Sequence, residues 1–148
     1  MLLVDSNVWL AALLDKHEFH SAVVRWMDQQ AAGSIYFCRA TQQSMLRLLC
    51  TTAVMAPFGR TPLTNNAAWS LYEELQNDDR ISWADEPIDL TAQWKRLGAV
   101  KGASPKLWMD AYLAAFAIVG GYEIVTIDNA FKQFKNLNVR LISADDNL

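Results

Sequence analysis

Residues 106–131 read KLWMDAYLAAFAIVGGYEIVTIDNAF, and this stretch decides the fold. Between positions 107 and 119 every residue is apolar or aromatic except Asp110, and the segment contains no Gly or Pro. Such a pattern predicts a helix that is nearly fully buried. Because burying an unpaired carboxylate costs several kcal/mol, Asp110 is a candidate for binding a cation, for a buried hydrogen-bond network or for catalysis.

A short strand is predicted directly after this helix. The glycine pair at 120–121 is a natural helix end, and residues 123–127 are rich in β-branched side chains. The strand finishes on Asp128. A second acid therefore lies at the carboxyl end of a strand, which is where open α/β sheets bind their ligands.

The rest of the chain also alternates short apolar strands with amphipathic helices. The predicted strands are 2–4, 35–38, 81–84, 123–127 and 139–142. Helices are predicted over 17–32, 90–97, 107–119 and 130–134. Three further helices are predicted to begin at residue 6, near residue 41 and after a capping residue at position 64. This order favours an α/β fold, a three-layer α/β/α sandwich around a parallel sheet of about five short strands.

The composition is that of a globular protein. A chain of 148 residues with 52% hydrophobic residues fits a single domain, residues 1–148, with a sizeable core. No apolar run reaches the ~18 residues that span a bilayer, and an acid at position 5 does not suit a secretory signal. We therefore expect a cytoplasmic protein without a membrane segment. Cys38 and Cys50 lack metal-site spacing, so we expect buried thiols.

A third acid is placed like Asp128. The apolar run 2–4 ends on Asp5, and a helix opens immediately afterwards. If the sheet edge gathers Asp5, Asp110 and Asp128, each pair about 4 Å apart repels by about 4 kcal/mol at an effective dielectric near 20. A divalent cation removes that conflict, and oxygen ligands without His or Cys select Mg²⁺ or Mn²⁺ over zinc. Such a centre suits the hydrolysis of a phosphodiester bond.

The net charge bears on whether a nucleic acid is the substrate. The chain carries 13 basic and 16 acidic residues, a net charge of −3, which at first argues against such a partner. Acids that are neutralised by bound cations do not repel phosphate. The remaining surface is then close to neutral, and local Arg and Lys side chains can still hold a phosphate backbone.

Four motifs together resemble the PIN-domain family, and in particular the VapC-type toxins of bacterial toxin-antitoxin pairs. The motifs are VDSNVWL, ATQQSMLRLL, SPKLWMDAYLAAFA with its internal WMDAYLAAFA, and VTIDNAF, so the resemblance covers nearly the whole chain. It implies a metal-dependent endoribonuclease that cuts RNA, often tRNA or rRNA. It also implies a homodimer that is inhibited by a VapB-type antitoxin. Asp5, Asp110 and Asp128 fall on the family's acidic metal-site positions, which implies a catalytic role for all three.

One position departs from the family pattern. The family commonly has a Glu on the helix after the second strand, and Ser44 occupies that position here. A hydroxyl can hold a metal-bound water but supplies no charge, so the departure implies weaker metal binding, a single-ion site or an acid recruited from elsewhere. Arg47 is a candidate phosphate contact one turn further on, and Lys101 and Lys106 are candidate RNA contacts beside the Asp110 helix.

Alternatives to a nuclease stay open at this point. A PIN-like module that has lost catalysis through Ser44 would bind RNA or a protein without cutting it. A phosphoacceptor domain using Asp5 as nucleophile is disfavoured, because no second acid follows two residues later. Taken singly, Asp5 also fits a helix cap and Asp128 a turn. The acids at 145 and 146 fit solvated loop charges, with a position near the metal as the alternative.

Overall fold

A five-stranded sheet forms the centre of the computed structural model, which describes residues 1–145. The strands run in the spatial order β3-β2-β1-β4-β5, and every neighbouring pair is parallel. The strands are β1 (Leu2–Val4), β2 (Ile35–Phe37), β3 (Ile81–Trp83), β4 (Glu123–Thr126) and β5 (Val139–Leu141). The predicted parallel sheet of five short strands is confirmed.

Helices connect the strands, as parallel pairing requires. They are α1 (Ser6–Leu13), α2 (His20–Asp28), α3 (Arg39–Leu49), α4 (Thr52–Met55), α5 (Asn65–Gln76), α6 (Leu90–Gly98) and α7 (Leu107–Gly120), with short 3-10 helices at Ala56–Phe58 and Asn129–Gln133. None of the helices within residues 1–145 is long and apolar enough to cross a bilayer.

The helices cover both faces of the sheet, which gives the three predicted layers. Successive strand side chains point to opposite faces. Val4 and Val125 pack into a core with α1, α2, α3 and α5. Their neighbours Leu3 and Ile124 pack into a second core with α6 and α7. Burial on both faces explains why the central strands β1 (LLV) and β2 (IYF) are continuously apolar rather than alternating.

The strand order places the switch in connectivity between β1 and β4. The chain proceeds from β1 outward to β2 and β3, and then returns across the sheet to β4 and β5. A crevice opens at such a point, beyond the carboxyl ends of the two central strands. Asp5 directly follows β1, and Asp128 follows β4. The fold therefore brings two residues 123 positions apart to one edge of the sheet.

Several predicted boundaries were wrong near turns. The predicted helix over 17–32 is shorter, because the His17 ring accepts a hydrogen bond from the backbone N–H of Phe19 and holds a turn before α2. The segment after α3 contains α4 and a 3-10 helix that were not predicted. The second of these ends at Gly59, whose φ of 68° is the left-handed conformation that glycine adopts freely.

The burial expected for the 107–119 helix was wrong at its ends. Residues Ala111 to Ala117 are buried apart from half-buried Tyr112, whereas Trp108 and Met109 in the first turn are 48% and 46% exposed. The sequence of residues 107–119, which is apolar or aromatic except at Asp110, predicted a helix that is buried on all sides. The first turn instead lies at the edge of the sheet, where solvent reaches it, and Asp110 is therefore half-buried.

Trp9 provides a test of the packing of α1 against the sheet. Its ring stacks on Phe37 with centroids 3.8 Å apart, and its indole N–H donates to the Val4 carbonyl over 3.1 Å. We expect Trp9→Ala to lower the free energy of unfolding by roughly 3 to 5 kcal/mol in urea denaturation, because it leaves a large cavity. The exposed Trp69→Ala should cost less than about 1 kcal/mol. Equal losses for the two variants would contradict this account of the core.

Candidate metal centre at the sheet edge

Asp5 is the most deeply buried acid at this edge, with 8% of the residue exposed. It caps α1, and its Oδ1 accepts a 2.8 Å hydrogen bond from the backbone N–H of Ser6. Its own backbone N–H donates to the Val125 carbonyl over 2.9 Å, so the β1–β4 pairing continues to this residue. The carboxylate is thereby fixed by both the helix start and the neighbouring strand.

Thr126 connects the two strand-end acids, and sequence reasoning missed it. The residue is fully buried, and its hydroxyl donates to Oδ2 of Asp5 over 2.9 Å. The hydroxyl oxygen of Thr126 in turn accepts hydrogen bonds from the backbone N–H of Asp128 over 3.0 Å and from the Asn7 side-chain amide over 3.5 Å. The sequence signal is a polar residue two positions before Asp128, but its contact with Asp5 depends on the register between β1 and β4.

Asp110 and Asp128 complete the acidic edge. Asp110 lies in the first turn of α7, and α7 returns toward the start of β4, so this turn lies at the carboxyl edge of the sheet. Asp128 is exposed, and its carboxylate accepts a 2.8 Å hydrogen bond from the backbone N–H of Ala130, which starts the following 3-10 helix. Asp128 thus keeps a second oxygen free of this cap and facing solvent.

Charge interactions connect the three acids. The pKa of Asp5 is raised to about 6, mainly by burial; hydrogen bonds from Thr126 and Ser6 lower it, and the charges of Asp110 and Asp128 contribute to the rise. Burial also raises the pKa of Asp110, and the charge of Asp128 adds to that rise. Each shift is mainly a desolvation effect, to which the neighbouring negative charges add. The charges of Asp110 and Asp128 therefore act on Asp5, and the assignment of the three acids to one metal site stays a prediction.

The donor set fits a hard divalent cation held by few protein ligands. Within residues 1–145 no three His, Cys, Asp or Glu side chains converge closely enough to hold an ion between them as placed, so the acids form an open edge rather than a closed cage. Mg²⁺ is commonly bound through one or two carboxylates with water in the other positions. Asn7 Oδ1 is a further oxygen, buried beside Thr126 with no hydrogen-bond partner in the described chain.

Ser44 and Arg47, the two predicted contacts on α3, lie at different distances from the acidic edge of the sheet. Ser44 is half-buried in the middle of α3, and its hydroxyl forms no hydrogen bond within the described chain. Arg47 is one turn further along α3, in a groove of about 490 Å³ between α3 and α5. Because α3 begins at the carboxyl end of β2, each turn carries it away from the acids. Arg47 is thus the more remote of the two.

The predicted lysine contacts are close to the site. Lys101 and Lys106 are exposed, and Lys106 lies immediately before α7, one helical turn from Asp110. A flexible cationic side chain at that position can reach a phosphate held beside the acids. Asp145 is exposed after β5, and Asp146 lies outside the described residues.

Asp5→Asn tests the electrostatic description through stability. The folded-state pKa of about 6 exceeds the usual 3.8, so the folded form holds a proton more tightly, and that stabilisation is lost as pH rises from about 4 to above 6. In EDTA, the free energy of unfolding of the wild type should therefore decrease relative to that of Asp5→Asn by on the order of 3 kcal/mol across this range. A difference that stays constant with pH in urea titrations would contradict the assigned environment.

Thr126→Val tests the bridging hydroxyl. Removing a hydrogen bond that stabilises the ionised form should raise the pKa of Asp5 further, whereas Thr126→Ser should keep the wild-type value. Carboxyl ¹³C NMR titration of Asp5 in the metal-free protein measures the shift directly. Indistinguishable titrations of the Val and Ser variants would show that the hydroxyl does not act on Asp5.

Comparison with known proteins was made on sequence and on structure. The family model of the PIN domain matches residues 2–137. The chain is also 50% identical over 145 residues to Ribonuclease VapC41 of Mycobacterium tuberculosis, covering 97% of this chain and 99% of the relative. The PIN-domain ribonucleases as a family depend on metal.

Solved structures of lower identity share the fold. Mycobacterium tuberculosis VapC20, a toxin that cleaves the sarcin-ricin loop, matches with a TM-score of 0.66 at 15% identity, over 95% of this chain and 99% of its own. FitAcB from Neisseria gonorrhoeae matches with a TM-score of 0.61 at 22% identity, over 97% and 98%. The family model and the half-identical relative show that this chain belongs to the PIN-domain family, among the VapC-type ribonucleases.

Proposed function

We propose that Asp5, Asp110 and Asp128 form the centre with which this VapC-type endoribonuclease hydrolyses RNA phosphodiester bonds, with Mg²⁺ as the ion and Mn²⁺ as a substitute. The observation that supports the proposal is the buried carboxylate of Asp5 at the switch point of the sheet, whose pKa is raised by burial and also by the charges of Asp110 and Asp128. An ion bound there supplies an activated water and offsets charge on the phosphate. Oxygen-only donors favour Mg²⁺ over zinc.

The side chains have distinct parts in this proposal. Asp5 is the fixed ligand, because the Thr126 hydroxyl and the Ser6 backbone N–H hold both of its oxygens. Asp110 and Asp128 approach from a helix and from a strand end, and each has freedom to turn toward an ion. Asn7 Oδ1 would accept a hydrogen bond from water in the ion's shell. The set orients an ion and its water without requiring a buried base.

RNA would approach over the start of α7. Lys101 and Lys106 are exposed on the loop that leads to Asp110, and we propose that they neutralise phosphates on either side of the bond that is cut. Arg47 would serve only a longer RNA, because it lies beyond Ser44 on α3. Transfer RNA or ribosomal RNA, the substrates implied by the family, are long enough to span this surface.

The absence of a Glu at position 44 does not favour a protein that only binds. A relative with 50% identity across almost its whole length is named as a ribonuclease, so the non-catalytic alternative is disfavoured. Ser44 still removes one negative charge from the edge, and we propose that the centre consequently holds one tightly bound ion. The Ser44 hydroxyl would contact that ion through water.

Partners follow from the same family membership. VapBC2 from Rickettsia felis, which shares the fold with a TM-score of 0.60 at 14% identity, is a complex bound to a DNA fragment from its promoter. We propose that a VapB-type antitoxin inhibits this chain, with an Arg or Lys of the antitoxin paired to the acidic edge. We further propose a cytoplasmic homodimer in which residues 1–148 form one PIN-like domain.

Asp110→Asn tests the proposed function. The substitution keeps the size of the side chain but removes its charge, so cleavage of total bacterial RNA in Mg²⁺ should fall at least about a hundredfold, and growth inhibition on expression should be lost. RNA end sequencing and colony counts measure the two effects. The matched control is Asp79→Asn, which changes an exposed acid before β3, at the opposite edge of the sheet. Wild-type cleavage by Asp110→Asn would overturn the proposal.

A further inference from the structure

A notch at the same carboxyl edge of the sheet as the acids is not used by the proposed chemistry. It has a volume of about 220 Å³ and lies between the ends of β2 and β3 and the second turn of α7. We call it the Arg39 notch. Its main lining residues are Arg39, Trp83, Asp85, Glu86, Tyr112 and Phe116.

Arg39 is held in place although it is exposed. Its Nη1 donates a 2.6 Å hydrogen bond to the side chain of Gln42, which is only 5% exposed. Its guanidinium carbon lies 4.7 Å from the centre of the Trp83 ring. A guanidinium stacked on a ring and fixed by a buried amide has lost much of its rotational freedom, and its other N–H groups are presented in a defined direction.

The opposite wall of the notch presents hydrogen-bond acceptors. The Tyr112 hydroxyl donates to Oε2 of Glu86 over 2.8 Å, and the Trp83 indole N–H donates to Oδ1 of Asp85 over 2.9 Å. Each carboxylate is thereby oriented and retains acceptor capacity, because an ionised carboxylate has about four lone-pair positions. The notch therefore offers a planar aromatic surface with a fork of donors and carboxylate acceptors.

We propose that the Arg39 notch binds a guanine base of the RNA substrate next to the phosphate that is cut. Guanine has two adjacent acceptors, O6 and N7, which an Arg fork matches bidentately. Its Watson–Crick edge carries N–H groups that suit a carboxylate such as Glu86, and its face can stack on aromatic rings. The proposal rests on the ribonuclease function and names a base preference for the same site.

The alternative occupant within the same RNA is a phosphate group, and the charges disfavour it. A phosphate bound to Arg39 would also face Asp85 and Glu86, and like charges at such distances repel. A neutral base avoids this repulsion and uses the acceptors. The position also suits a neighbouring nucleotide, since β2 pairs with β1, so that the strand ends that precede Arg39 and Asp5 are adjacent in the sheet.

The test is cleavage of a random-sequence RNA library in Mg²⁺, with sequencing of the ends that are produced. The wild-type protein should enrich guanine at one position beside the cut. Arg39→Ala and Glu86→Gln should each reduce that enrichment about tenfold while still cutting, because the acidic centre is unchanged. Arg39→Lys should not restore it, since a single ammonium lacks the fork. Glu86 is exposed, so its variant tests the notch even if an Arg39 variant folds poorly.

Arg60→Ala provides the matched control, because it removes an exposed arginine that pairs with Asp15, far along the chain from β2. It should keep the wild-type enrichment. Wild-type cleavage without a guanine preference, enrichment of another base, or full enrichment in Glu86→Gln would overturn the notch assignment and leave the nuclease intact. A library left whole by the wild-type protein would overturn the ribonuclease proposal, and the base preference with it.

Discussion

The pairing of β1 with β4 is the constraint on which the site depends. Val4 pairs with Val125, and the next backbone hydrogen bond continues from Asp5 to the Val125 carbonyl. This register sets Thr126 beside Asp5. The buried Thr126 hydroxyl therefore contacts both the Asp5 carboxylate at the end of β1 and the backbone N–H of Asp128 after β4. A slip of one residue would reverse the facing of every side chain in the strand. The apolar residues on both faces of each strand hold the register in place.

The same arrangement places a cost on the folded protein. Asp5 is buried and its pKa is raised, although two hydrogen bonds favour its ionised form. Two more acids oppose its ionisation from α7 and from the end of β4. An arrangement that is unfavourable without a cation becomes favourable with one, since the cation reverses the sign of each interaction. The stability of the folded protein does not explain the burial of Asp5 beside charges of the same sign, and the proposed cation site is the simplest functional account of it.

Much of this architecture was predictable because it follows from local sequence patterns. The five short apolar runs and the glycine pair after α7 led to the correct layers. The acids at the strand ends led to the three-carboxylate site, which stays a prediction. The role of Thr126 was not predicted, because it depends on the register between strands far apart in sequence. The exposure of Trp108 and Met109 was missed for a related reason, since an apolar sequence does not reveal where a helix passes the edge of a sheet. The Arg39 notch was not predicted either, because its lining residues come from three segments that are far apart in sequence.

The edge as a whole has two chemically different halves. Acids occupy the switch point between β1 and β4, while a fixed arginine and aromatic rings occupy the ends of β2 and β3. The central claim concerns the acidic half of the edge. It is that Asp5, Asp110 and Asp128 act on one cation. Anomalous diffraction from crystals soaked in Mn²⁺ tests it most directly. The account predicts a peak about 2.1 Å from an Asp5 oxygen, with Asp110 and Asp128 binding the ion or its waters. Crystals that bind Mn²⁺ elsewhere, and leave this edge without a peak, would contradict it.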